Sequence, residues 1–194
     1  LIHCKPSEIV FTSGGTEADN TAMRFALSGC GCKRIITTPI EHSAVIKTAE
    51  MNETLHQIPL QLIAVDHSGK VNLQHLEELL QNGPKAFVSL MHGNNEVANL
   101  LSLEAVGNVC KKYGAVFHSD TVQTMGHYTF DMHQLPVDII NASAHKFHGP
   151  KGIGALYIRD GVKLPSQFIG GGQESGRRAG TEAVHQIAGL GGVL

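Results

Sequence analysis

The sequence predicts an α/β fold, a three-layer α/β/α sandwich around a mostly parallel central sheet. Three observations lead there. Short apolar runs alternate with longer stretches of helical period along the whole chain. The run at 86–91 carries no charge, as strands covered on both faces do. Polar and glycine-rich clusters sit at the ends of the runs, where open α/β sheets bind ligands.

Composition bounds the function. The 194 residues are enough for one domain with a real core, and 42% hydrophobic content is ordinary for a soluble globular chain. A net charge of −2 gives no sign of nucleic acid or an anionic membrane as partner. No apolar run reaches the length of a membrane span, and no secretory signal is visible in a chain that opens on Leu1 rather than Met. Cys4, Cys30, Cys32 and Cys110 are expected as thiols in a reducing, cytoplasmic setting. The twelve histidines form no His-x-x-x-His pattern and the cysteines no Cys-x-x-Cys pair, so no metal site is expected.

In chain order, a strand at 8–12 runs into Ser13-Gly14-Gly15-Thr16-Glu17 and then a helix at 18–27. A glycine turn feeding a helix start can bind phosphate through free N–H groups and the helix dipole. An ordinary turn with Thr16 as N-cap fits equally well. The spacing is neither the P-loop nor the dinucleotide fingerprint. A strand at 34–38 leads to Glu41-His42-Ser43, with Ser43 as the expected cap of a helix at 44–51. His42 at this junction suits stacking on a planar ring or moving a proton, although a lone histidine is more often structural.

A strand at 60–65, a turn at 66–69 and a helix at 73–80 with one leucine stripe follow. The strand at 86–91 ends in His92-Gly93-Asn94-Asn95-Glu96, which is plain turn chemistry or a set of donors aimed at a ligand. An amphipathic helix at 103–113 stops at Gly114. The strand at 115–120 ends in Asp120, and an unpaired buried carboxylate costs several kcal/mol, so it calls for a cationic partner.

The strand at 137–141 leads to Ser143-Ala144-His145-Lys146-Phe147-His148-Gly149-Pro150-Lys151-Gly152-Ile153-Gly154. Lys146 thus falls on a turn at a strand end. Held away from bulk water, its ammonium would be disfavoured and its amine freed for a carbonyl. Ser143 and His145 are suited to phosphate oxygens. Taken alone, a lysine beside a Gly-Pro turn is more often solvated. The strand at 154–159 comes too soon for a helical crossover, so it should run antiparallel to its predecessor. Residues 170–181 read as a long mobile loop or, through Arg177 and Arg178, an anion-binding one; residues from 182 onward are helical in pattern.

The combination of Gly15-Thr16, His42, Asn94-Asn95-Glu96, Asp120 with Gln123, Ser143-x-His145-Lys146 and Arg178-x-Gly180-Thr181 resembles the NifS/IscS-type cysteine desulfurases of the class V aminotransferase group. The resemblance covers nearly the whole chain. It implies the large domain of a fold-type I transferase dependent on pyridoxal 5'-phosphate, spanning residues 1–194. It also implies that Lys146 carries the cofactor covalently, Asp120 pairs with its ring nitrogen, and His42 stacks on the ring and assists proton transfer. Asn95 and Gln123 would bond near the phenolic oxygen. Gly15, Thr16, Ser143 and His145 would hold the phosphate, and Thr181 would reach the phosphate of a neighbouring subunit in a homodimer with shared sites.

By the same resemblance the substrate is L-cysteine and a sulfur-acceptor protein is the partner. The nucleophilic cysteine and the arginine that takes the substrate carboxylate would lie beyond Leu194, in a C-terminal small domain outside this chain, and the family's N-terminal segment would be missing from it too. This fragment alone should then bind cofactor weakly and not turn over. Thr121 and Ala98 depart from the usual alanine and glycine. Selenocysteine lyase is an alternative with the same cofactor, and a non-catalytic dimerisation or scaffold domain is an alternative of another class.

Overall fold

The structure, a computed structural model, describes residues 2–162, 165–166 and 168–194. Among these, seven strands form one sheet: β1 (Ile9–Thr12), β2 (Arg34–Thr37), β3 (Leu60–Leu62), β4 (Ala86–Ser89), β5 (Val116–Ser119), β6 (Ile139–Ser143) and β7 (Gly154–Ile158). Their order is β1-β7-β6-β5-β4-β2-β3. Pairings from β3 through β2, β4 and β5 to β6 are parallel. β7 runs antiparallel to both β1 and β6, with Asn141 opposite Leu156 and Ser143 opposite Gly154. The short connection at 144–153 cannot hold a crossover helix, which fixes that direction as expected.

The helices are α1 (Gly15–Gly29), α2 (Ser43–His56), α3 (Leu73–Gln81), α4 (Leu103–Lys112) and α5 (Val184–Gly192). Successive strand residues point to opposite faces. Ile35, Phe87, Val116 and Ile139 join Ala18, Ala22, Met23, Val45 and Ala49 of α1 and α2 in one core. Ile36, Val88, Phe117 and Ile140 join Leu76, Leu80, Val106 and Cys110 of α3 and α4 in the other. The three expected layers follow from this division, and the doubly covered strands β2, β4, β5 and β6 are buried at every position.

Several boundaries differ from the sequence expectations. β3 ends at Leu62 rather than 65, because Val65 instead bridges Val71 across the turn at Asp66–Gly69. α2 is capped by His42, whose Nδ1 accepts from the Ala44 N–H at 3.1 Å, so Ser43 is the first helical residue. Gly14, not Thr16, precedes α1, at φ 152°, a region open only to glycine. β6 starts and ends two residues later than expected, at Ile139 and Ser143. The loop at 170–181 is tied down rather than loose. Glu174 accepts from the Phe11 N–H at 3.1 Å, Arg177 donates to the Ile9 carbonyl at 3.0 Å, and Arg178 grips Glu17 at 3.0 Å. Both arginines are therefore engaged by protein groups within this chain.

Candidate active site

The polar run ends meet at one rim of the sheet. Asp120 follows β5 directly, Ser143 closes β6, and a 3-10 turn (Ala144–Phe147) presents His145 and Lys146. The start of α1 supplies Gly15 and Thr16, and the cap of α2 supplies His42. Together with Asn95, Gln123, Asp19, Met91 and Val122 they line a cleft of about 260 Å³. Nine of the ten residues singled out in the sequence are thus in one cleft: Gly15, Thr16, His42, Asn95, Asp120, Gln123, Ser143, His145 and Lys146. Thr181 is not. It lines a separate cavity of about 180 Å³ with Phe11, Thr12, Ser13 and Arg178.

Each side chain is set locally. A Cβ on Gly15 would come within 2.6 Å of Val122 Cγ2, so glycine lets the helix start approach the strand ends closely. Ser143, buried, shares a hydrogen bond of 3.0 Å with His145 Nδ1. That pair beside the α1 start makes a cluster of donors fit for phosphate. The two carboxamides after β4 divide the work. Asn94 is buried and holds its turn, donating to the Ile40 carbonyl at 2.7 Å and accepting from the Glu96 and Val97 N–H groups. Asn95 stays exposed and faces the cleft. Ala98 ends that turn with φ 55°, a left-handed conformation that glycine adopts more easily.

Asp120 is 4% exposed and accepts from the Val122 N–H at 2.9 Å. Burial pushes its carboxyl up, while that N–H, His42, Asn141 and Lys146 work the other way. A cation in the cleft would be strongly favoured there. Lys146 is exposed, as a lysine beside a Gly-Pro turn more often is, so this chain does not itself shelter the amine from water. Among the described residues, Asp19, His42 and Asp120 bring polar side-chain atoms within 4.8 Å of one another, a cluster that suits a protonated ring nitrogen.

The model of the family described as aminotransferase class-V matches residues 1–194. The chain belongs to that family. A cysteine desulfurase IscS from Dictyoglomus turgidum is 43% identical over 193 residues, covering 98% of this chain and 48% of the relative. A solved NifS-like protein superposes with a TM-score of 0.91 at 42% identity, covering 97% of this chain and 52% of that one. A structure described as SspA in complex with cysteine gives 0.91 at 35% identity, covering 98% and 55%. The chain spans about half the length of the curated relatives it matches.

Class V aminotransferases and cysteine desulfurases are dependent on pyridoxal phosphate, and the cleft fits that group. It offers an amine, a buried carboxylate and a hydroxyl–imidazole cluster at a helix start whose glycine leaves room. Burial pushes the Cys32 thiol up to about 12 and raises Cys110 and Cys4 as well.

Sequence reasoning missed Asp19, Met91 and Val122 in the cleft, and His118 and Asn141 behind it. Asp19 left one signal: it shares a face of α1 with Ala22 and Met23, where a carboxylate has no packing purpose. Among the described residues no helix is long and apolar enough to cross a membrane.

Proposed function

We propose that the protein carrying this chain is a cysteine desulfurase, and that residues 1–194 are its pyridoxal-phosphate-binding domain. The observation that supports this most is the meeting of Lys146, Asp120, His42 and the Ser143–His145 pair around one cleft. Bound there, pyridoxal 5'-phosphate supplies an aldehyde for an amine and an electron-withdrawing ring. Lys146 anchors the cofactor and exchanges protons at the substrate carbon. Asp120 keeps the ring nitrogen protonated. His42 covers the ring face, and its Nδ1 is engaged by the Ala44 N–H, which leaves Nε2 to carry the ring proton. Asn95 and Gln123 orient the phenolic side. Gly15, Thr16, Ser143 and His145 hold the phosphate.

Overall, the carbon–sulfur bond of L-cysteine breaks and the carbon gains a proton, giving L-alanine. A cysteine thiol outside this chain takes the sulfur as a persulfide and later hands it to an acceptor protein. Thr181, apart from its own cleft, serves the site of a second copy in a homodimer. The cytoplasm, where thiols stay reduced, is the fitting compartment.

Borohydride reduction of the full-length protein with pyridoxal phosphate, followed by peptide mapping, should fix the label on Lys146. The Lys146→Ala variant should stay unlabelled and release no alanine from L-cysteine. Assayed alone, residues 1–194 should also release none. Label elsewhere, or turnover by Lys146→Ala, would remove the proposal. Parallel assays with selenocysteine test the alternative substrate.

A further inference from the structure

Behind the cleft lies a buried polar chain that the proposed roles do not use. Asp19 is 2% exposed and its Oδ1 accepts from Asn141 Nδ2 at 2.6 Å. The same oxygen lies 3.6 Å from Nε2 of His118, itself 1% exposed. On its other side, His118 Nδ1 shares a 2.9 Å hydrogen bond with Ser89 Oγ. Nε2 of His118 is a buried polar atom with no hydrogen-bond partner among the described residues. Asn141 also accepts from the Thr121 N–H at 2.9 Å, and its carboxamide neighbours Asp120. It therefore ties Asp19 to the strand end that carries Asp120.

Two carboxyl groups so close together in a dry site cannot both ionise cheaply. Asp19, Asp120 and His42 hold their ligand atoms within 4.8 Å of one another. The charged and titratable groups acting on Asp19 are Asp120 and Glu41, with His118 at its back. We propose that Asp19 is a positioning residue that works as a neutral acid, its proton directed to Nε2 of His118. Asn141 then carries its fixed orientation to Asp120, leaving a single anion to face the ring nitrogen of the cofactor. This rests on the cofactor reading above. It accounts for the orphan nitrogen, which becomes an acceptor with a donor at hand. Burial, with Asp120 and Glu41 beside it, pushes the Asp19 carboxyl well above its usual range, and burial lowers His118 to about 3. Both directions favour a neutral pair.

The test uses Asp19→Asn and Asp19→Ala in the full-length protein. Asparagine stays neutral, as the protonated acid is, and at the Oδ1 position keeps either the acceptor for Asn141 or the donor for His118, whereas alanine keeps neither. Without cofactor, Asp19→Asn should lose one protonated-carboxyl stretch from the infrared spectrum. Histidine ¹⁵N spectra should show His118 Nε2 without a proton. With cofactor, Asp19→Asn should keep the wild-type absorbance maximum, and Asp19→Ala should shift it and weaken binding about tenfold, as expected for buried partners left unpaired. A proton on His118 Nε2, an unchanged infrared spectrum, or an Asp19→Asn variant as impaired as Asp19→Ala overturns the inference. If the wild type takes up no cofactor, the functional proposal fails, and the two cofactor-free measurements still decide this one.

Discussion

Glu41, one residue before His42, is 9% exposed and makes two hydrogen bonds. Its Oε1 accepts from Thr38 Oγ1 at 2.6 Å and its Oε2 from the Met91 N–H at 2.9 Å. Burial outweighs both and pushes its carboxyl from 4.5 up to about 8. The folded state therefore holds the proton more tightly than the unfolded chain. Its contribution to stability is fully present below 4.5 and is lost as pH rises to about 8. Glu41→Gln has no proton to lose. Urea midpoints across that range should show the wild type losing ground to the variant as pH rises; a gap that stays constant rejects this account. Residue identities at the rim were readable from the sequence because polar side chains interrupt apolar runs. What each does was less readable. Asn94 and Asn95 are chemically identical neighbours, and only their turn decides that one is buried as a brace and the other lines the cleft.

At the scale of elements, the strands were legible as short apolar runs, because both their faces are covered, and the helices by their 3.6-residue period. Their ends were less so. Caps depend on single hydrogen bonds, such as the His42 ring accepting from the Ala44 N–H, and no periodicity announces them. Helix docking was hidden too. Gly107, in the middle of α4, reads in sequence as a weak point, since alanine there would favour the helix by ~1 kcal/mol. The fold makes it a contact. A Cβ at Gly107 would meet the Pro136 carbonyl oxygen at 2.2 Å and Pro136 Cγ at 2.7 Å. Backbone must move to admit it, and overpacking of this kind costs roughly 1–3 kcal/mol or more. Gly107→Ala should therefore lower stability by up to about 2 kcal/mol net in denaturant unfolding, against its helix propensity. A variant at least as stable as the parent would show that the segment at Pro136 gives way freely.

Across the whole molecule, the parallel strands deliver their C-terminal ends to one rim, and β7 folds back to hold the Lys146 turn against the start of α1. That convergence was foreseeable from chain order, because each polar cluster follows its own strand. Thr181 was not placed by that logic, for it belongs to a segment tethered to β1 and Glu17 rather than to a strand end. Its separate cavity leaves two possibilities, a structural role within its own subunit or a role at the site of a second copy, and mixed dimers separate them. Pairing a Lys146→Ala subunit with a Thr181→Ala subunit leaves the second subunit with its own Lys146 and, if Thr181 acts across the interface, with an intact threonine from its partner. One site per heterodimer should then bind and be reductively labelled with wild-type affinity, while both parental homodimers are impaired. If Thr181 acts only within its own subunit, no site in the heterodimer has both residues, and labelling should stay at the level of the Thr181→Ala homodimer. That second outcome would leave the cleft intact but end the case for shared sites.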